Sequence, residues 1–592
     1  MIESDYATRS DAVETKINLL RAALNEGRYE LAQALADSIK EGIAAERQLR
    51  ARPGEPTIPA AASRELKSLP APWAEWARGW SRYQVIVLQE PLGLARQREP
   101  VDLFISVPAE EVACLAREAR LARLDRQAGT LREIPCQVYG EVRRGSERLG
   151  HLVFMASVAA HETETYLLFS GNPEAEMPAF PTDLRVRGEG FGLDIENGFY
   201  VASLSRQMGQ LERLTYKRAH GLELFAGGEG HGEPPHIDWA HDYLSADRFQ
   251  KFRVTNWATC PNYEVVRGPL CVSVRRWGFP HSPVHPLFTP SRMFIDVTYI
   301  FYADTPYFLK HGRMEMVRDF SLNYLRDDEW VFSGYSFTDA LWMGVDGRLR
   351  EGPVDPKEQD NLWAVGFYHR DSRDAFIALR LEHSAEGFPG VLYHAGSPVL
   401  DYQGHGQLWS RWAARDDPFF PAGSVLKQRN AYLVSPFARE NGAELVERYW
   451  NALRHPLQAQ PGQLPAIRAQ ACPGRLARPG EAGDSPINKR AIWEALRDCR
   501  DDMLYTIDAN VVDMGYIRDV RVVGNMVHIV MTMPHRGRPK YRYLGEPMRR
   551  RLLELPHVEQ VVIDLTWDPP WSANDLSDVA WAALGLGPRP GR

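Results

Sequence analysis

The sequence predicts a multidomain protein: a large antiparallel β-sandwich, a small C-terminal α/β domain and an N-terminal helical hairpin. Three observations predict it. Apolar runs alternate with period two from residue 73 to residue 454. Two stretches rich in Pro, Gly and Ala, 51–72 and 455–486, cut the chain into blocks. The last hundred or so residues, 487–592, switch to helical spacing interleaved with short strands. At 592 residues the chain has room for about two to four domains.

In chain order, residues 1–50 read as a helical hairpin. Leu19, Leu20, Ala23 and Leu24 fall at helical spacing, Gly27 breaks the run, and Leu31, Leu35, Ile39 and Ile43 resume it. Residues 51–72 read as a linker. Runs such as YQVIVLQ (83–89), VDLFISVP (101–108) and MFIDVTYIFYA (293–303) then mark strands, and 443–453 reads as a closing helix. A second linker occupies 455–486. The tail gives a helix at 489–502, strands DVRVVG and MVHIVMTM, a helix near 545–555, a strand VEQVVIDL and a helix at 575–584. That is the order αββαβα.

Composition excludes several classes of partner. Lys plus Arg is 70 and Asp plus Glu is 77, a net charge of −7. So near-neutral a balance gives no electrostatic case for nucleic acid or an anionic membrane. No run of about 18 apolar residues suggests a membrane span. The six cysteines form no C-x-x-C pair, and MIESDYATRSDAVETK has no apolar signal core. A cytoplasmic protein with reduced thiols is expected.

Three pieces of the tail are unusual: NVVDMGYIRDVRV (510–522), VHIVMTMP (527–534) and WDPPWS (567–572). In this order they resemble the PaaD/SufT-type metal–sulfur cluster assembly family. The resemblance implies that fold, a link to iron–sulfur clusters and a metalloenzyme client or other subunits as partners. It places Asp508, Asp513, His535, Arg538 and Asp568 as candidate binding residues. Two features depart from the family. Asp508-Ala509-Asn510 stands where members carry Asp-Pro-Glu, and the loop Met533–Pro539 has no cysteine where many members have one. A thiolate is the soft ligand that iron–sulfur clusters need. Its loss suggests a docking module that has kept the fold without the cluster chemistry. Arg536, Arg538, Lys540, Arg542 and Arg549–Arg551 add charge that suits an acidic partner.

The central region is similar in pattern to the super-sandwich domains of carbohydrate lyases, of the exo-rhamnogalacturonan-lyase type. Its chemically richest stretch is GEGHGEPPHIDWAHDYL (228–244). His236, Asp238 and His241 are candidate ligands for a divalent metal such as zinc, manganese or iron. Alternatively His231, His236 or His241 acts as a base beside Asp238. His281 and His285 are candidates for the same rim. A lyase must remove the proton α to a carboxylate, so Tyr299 and Tyr302 are candidate bases, with Arg292 and Arg313 neutralising the acid. Three functions follow: a maturation factor for metal–sulfur enzymes, a lyase for a small sugar acid or ring compound, or a non-catalytic subunit of a complex.

Overall fold

The computed structural model describes residues 20–29, 32–33, 36, 57–175, 180–190, 192–205, 209–217, 223–225, 239–244, 251–257, 262–278, 280–281, 293–333, 336–389, 394–402, 405–412, 419–476, 487–501, 509–523, 525–534, 538–566 and 571–587. Within these, side chains are not described at 144, 223–225, 239–262, 280–281, 320, 322–333, 394–399, 401–412, 523 and 538–543. The described residues contain no helix long and apolar enough to cross a membrane.

Of the expected N-terminal hairpin, the structure describes helix at 20–25. Gly27 ends it at φ +70°, and the Arg28 N–H donates to Ala23 O at 2.8 Å. This is the left-handed stop that glycine permits.

The stretch expected as a first linker is structured from residue 57. Strand Thr57–Ile58 pairs parallel with Phe104–Ile105, and strand Arg64–Glu65 pairs with Arg82–Tyr83. A four-stranded sheet runs in the order Thr57–Ile58, Arg96–Pro108, Glu147–Val158, Cys136–Arg144. It faces a six-stranded sheet that contains Arg82–Gln89, Thr163–Ser170 and Arg120–Asp125. Alternation does the sorting. Val101, Leu103, Ile105 and Val107 point into the shared core, where Ile86 and Leu168 of the other sheet meet them.

The second stretch expected as a linker closes this unit. Strand Gln458–Pro461 pairs with Ile86–Gln89. Beyond it, Gln470 N–H donates to Gly129 O at 2.8 Å and the Trp76 indole to Pro473 O at 3.1 Å. Residues 455–476 are therefore a strap along the first layered unit. Composition reports the lack of periodicity in such a segment; it is blind to hydrogen bonds with distant strands.

The region 73–454, expected as one body, contains a second layered unit. Its centre is a nine-stranded sheet in the order Asn262–Val266, Cys271–Gly278, Met293–Tyr302, Tyr307–Met316, Val425–Val434, Ala375–Glu386, Ala364–Tyr368, Asp339–Met343, Leu349–Glu351. A five-stranded sheet spanning 185–225 packs on its inner face through Leu193, Ile195, Tyr200 and Leu214, against Val274, Phe301, Phe308 and Phe367. A seven-stranded sheet includes Trp239–Leu244, Lys251–Trp257, Phe320–Ser333 and His394–Tyr402. Leu400 of its edge strand packs on the same inner core. Helix Gly442–Arg454 seats Val446 and Trp450 on the outer face.

One buried ion-pair network ties the units together. Glu90 accepts N–H groups from Leu92, Gly93, Leu94 and His161, and a guanidinium bond from Arg96 at 3.0 Å. Arg96 also bonds Glu99, Ala452 O and His455 O at the end of helix Gly442–Arg454. Burial alone raises the Glu90 carboxyl, but the N–H donors of Leu92, His161 and Gly93 together with Arg96 outweigh it and hold the value below the ordinary one.

The tail folds in the predicted order. Helix Lys489–Arg497 is followed by strands Ile517–Val523 and Met526–Met531, helix Arg538–Leu553, strand Gln560–Leu565 and helix Asp578–Ala583. The first two strands are antiparallel and the last two parallel, joined by the intervening helix. Ile492, Leu496, Ile529, Met548 and Ile563 share its core.

This domain is docked on the body. Asp564, on the third strand, receives His528 Nε2 at 2.9 Å and the guanidinium of Arg267 from the body, whose Nη2 lies 3.1 Å away. Arg267 Nη2 also donates to Gly188 O, and Arg521 donates to Arg267 O at 3.2 Å. Arg549 pairs with Glu189. Strands Arg185–Glu189 and Asn262–Val266 touch Gln560–Leu565.

Arg96→Met leaves the Glu90 charge buried without its cation. It is expected to lower unfolding free energy by about 3 kcal/mol, read by chemical denaturation followed by tryptophan fluorescence.

Candidate functional site: the carboxyl edge of the small sheet

Parallel strands Met526–Met531 and Gln560–Leu565 end side by side, with Met531 opposite Leu565. Open α/β sheets place their sites at this edge. Two hydrogen bonds carry the order past the strand ends: Thr532 N–H to Tyr516 O at 2.7 Å and Thr566 N–H to Met531 O at 2.8 Å.

The segment 509–516 turns over this edge because its side chains close its own backbone. Asn510 Oδ1 accepts from Val512 and Asp513 N–H at 3.0 and 2.9 Å, and its amide donates to Asp513 Oδ2 at 2.6 Å. This is an Asx turn with an acidic lock. Gly515 follows at φ +67°, and a Cβ there would lie 2.2 Å from Asp575 O, so only glycine fits. The Trp571 indole donates to Met514 O at 2.8 Å and meets the Tyr516 ring edge-on. Arg518 grips Asp575 through both oxygens at 2.8 and 3.2 Å. The described parts of the three unusual strings of the tail thus meet on one edge.

The chemistry of this edge is poor in soft ligands. Cys499 is buried in the domain core, and its thiol points to Ala495 O at 3.6 Å. Burial pushes that thiol up to about 11, so it stays protonated. Burial raises Cys114 as well and takes Cys136 to about 12. The described residues hold no group of three His, Cys, Asp or Glu that could bind a metal. One polar atom is orphaned near the edge: Thr532 Oγ1 is buried with no hydrogen-bond partner among the described residues.

Of the residues singled out in the tail, Asp513 is at the edge as a turn-locking carboxylate. Arg538 opens helix Arg538–Leu553. Asp508, His535 and Asp568 lie outside the described residues. Within the basic run, Arg549 is committed to Glu189 and Glu546, and Arg551 to Asp498 and Glu554. Arg550 is exposed.

In the body, His231, His236, Asp238, His285 and Arg292 lie outside the described residues. His241 and His281 do share a cross-strand row: His281 pairs with Arg253, and Arg253 with His241. Arg326 and Arg411 extend the same row. Tyr299 and Tyr302, expected as alternative bases, are both buried. Tyr299 is sealed in the inner core beside Phe301 and Phe308, whereas Tyr302 is buried on the opposite face of the strand. A spacing of three along a strand separates two side chains onto opposite faces, so the pair forms no common site. Arg313 is also on the outer face, bonded to Glu315 at 3.3 Å. Among the described residues, Lys310, Arg276 and Arg380 are cations on the Tyr299 face, which sequence reasoning missed. The parity of Phe308 and Lys310 in one alternating strand was the available signal.

Comparison with known proteins bears on the tail. Residues 489–563 match the iron-sulfur cluster assembly protein family. The Fe-S protein maturation auxiliary factor YitW of Bacillus subtilis is 28% identical over 81 residues, covering 14% of this chain and 79% of that protein. The Fe-S protein maturation auxiliary factor of Porphyromonas gingivalis is 32% identical over 81 residues, covering 14% and 77%. For the body, the solved structure of a protein in the glycosyl hydrolase family 38 from Enterococcus faecalis aligns over 76% of this chain and 53% of that one. Its TM-score is 0.40 at 11% identity, too remote to assign the body a fold family.

Burial by itself would raise Asp564, but His528 and Arg267 hold it below the ordinary aspartate value. A depressed carboxyl contributes stability above about pH 4 and loses it as the pH falls through its own lowered value. Asp564→Ala strands Arg267 and is expected to weaken docking by about 3 kcal/mol at neutral pH. Hydrogen exchange should rise together in strands Gln560–Leu565 and Arg185–Glu189, and acidification of the unaltered chain should reproduce it.

Proposed function

Because the chain belongs, through its C-terminal domain, to the iron–sulfur cluster assembly protein family, we propose that it is an accessory factor in the maturation of iron–sulfur enzymes. One observation carries this reading: NVVDMG, VHIVMTMP and the tryptophan of WDPPWS converge on one edge of the small sheet. The cluster is cargo in this proposal, handed between other proteins.

The donor set argues for docking over carriage. The loop from Met533 to Pro539 has no cysteine, and Cys499 is a protonated core thiol. A cluster held for transfer needs thiolate or comparable soft ligands. The edge instead presents a rigid turn fixed by Asn510, Asp513 and Gly515, and the next helix adds the exposed Arg550, while Arg549 and Arg551 are already paired within the protein. Such a surface suits an acidic client, whose approach it steers by charge. The body, clamped to the domain through Arg267, supplies a second surface for the same complex.

Deleting the chain from its host is expected to lower the specific activity of iron–sulfur enzymes at least about twofold without lowering their protein levels, with restoration by the full chain. Unchanged specific activities in iron-limited and iron-replete cells would overturn the proposal.

A further inference from the structure

Two ion pairs pin the tail to the body, and they are built differently. In the inner pair, Arg267 with Asp564, the side chains are 10% and 4% exposed. The outer pair joins Arg549 of helix Arg538–Leu553 to Glu189, with side chains 19% and 35% exposed. Glu189 ends the first strand of the hairpin formed by Arg185–Glu189 and Gly192–Glu196. That first strand is the end strand of its five-stranded sheet. The second strand is anchored in the inner core by Leu193 and Ile195. The tip depends on Gly188, at φ +95°, where a Cβ would lie 2.5 Å from Gly192 O. Gly188 O accepts at 2.9 Å from the same Arg267 that holds Asp564.

Glu189 is seated here against an opposing cost. Its hydrogen-bonding partner among the described residues is Arg549. Burial raises its carboxyl above the ordinary glutamate value, Arg549 offsets only part of that, and Glu546 and Asp564 repel it. At Asp564 the balance is reversed, because its partners outweigh burial. The outer pair is also lopsided. Arg549 has a second carboxylate, Glu546, on its own helix, so it keeps a partner when Glu189 leaves.

We propose that this hairpin is a releasable latch, opened by an acidic segment of a partner protein that takes Arg549 from Glu189. Arg550, the next residue, is exposed and gives such a segment a second cation. Glu189 is then left with a half-buried charge and no cation, and it moves into water. The inner pair stays closed. The tail keeps its place while the end strand of the five-stranded sheet comes free, so docking on the tail is felt in the body. The acidic partner is taken from the docking role proposed above; the latch rests on the junction alone.

The test is hydrogen exchange of the full chain, with a polyglutamate peptide as the acidic segment. Excess peptide is expected to speed exchange in 185–196 by about threefold, the scale of one exposed ion pair, and to leave 560–565 unchanged. Arg549→Met removes the cation outright and should loosen the hairpin without peptide. Adding Glu189→Gln to that variant removes the stranded charge and should restore protection. Circular dichroism checks the fold, and if Arg549→Met fails to fold, the peptide arm on the unaltered chain decides. The proposal is overturned if polyglutamate leaves the hairpin unchanged, if folded Arg549→Met does not loosen it, if the double variant stays as loose as the single one, or if 560–565 loosens with the hairpin. The maturation reading stands or falls separately, on enzyme activities in the host.

Discussion

Asp564 brings a negative charge into the junction between body and tail, and two partners from two domains hold it. His528 comes from the neighbouring strand of its own sheet, and Arg267 from the loop that joins two strands of the body. A buried carboxylate is tolerable only while such partners stay in place. Separating the domains would expose or strand all three groups at once. The small domain is therefore held at a fixed position, and its carboxyl edge has a fixed relation to the body.

Much of this was legible in the chain. The tail could be read because its helices and strands carry clear 3.6 and 2 periods, and because glycine at 515 answers a turn that admits no Cβ. The strands of the body could be read from alternation. Their grouping could not, since Gln458–Pro461 finds its partner in Ile86–Gln89, far back in the sequence. Local composition encodes the absence of period in 455–476, and nothing local encodes the strand it joins.

The site residues show the same division. Asp513 was singled out as a candidate binding residue, and the structure shows it locking a turn at that edge. Tyr299 and Tyr302 looked like alternatives for one role, yet parity alone puts them on opposite faces. Lys310 and Arg276 drew no notice because a charged residue in an alternating strand is usually solvated. Only the register, which sets them beside Asn430, Gln428 and Tyr299, reveals a polar patch inside an apolar face.

A cluster-assembly fold without its thiol is joined to a layered body that it cannot leave without cost. The central claim is that the chain assists cluster delivery without carrying the cluster. The most direct measurement is anaerobic activation of an apo iron–sulfur enzyme such as apo-aconitase by a cluster donor, with and without the full chain, followed by iron and sulfide analysis of the re-isolated chain. Faster activation with the chain left free of stoichiometric iron is the predicted result. No acceleration, or a chain recovered with a full cluster, would contradict it.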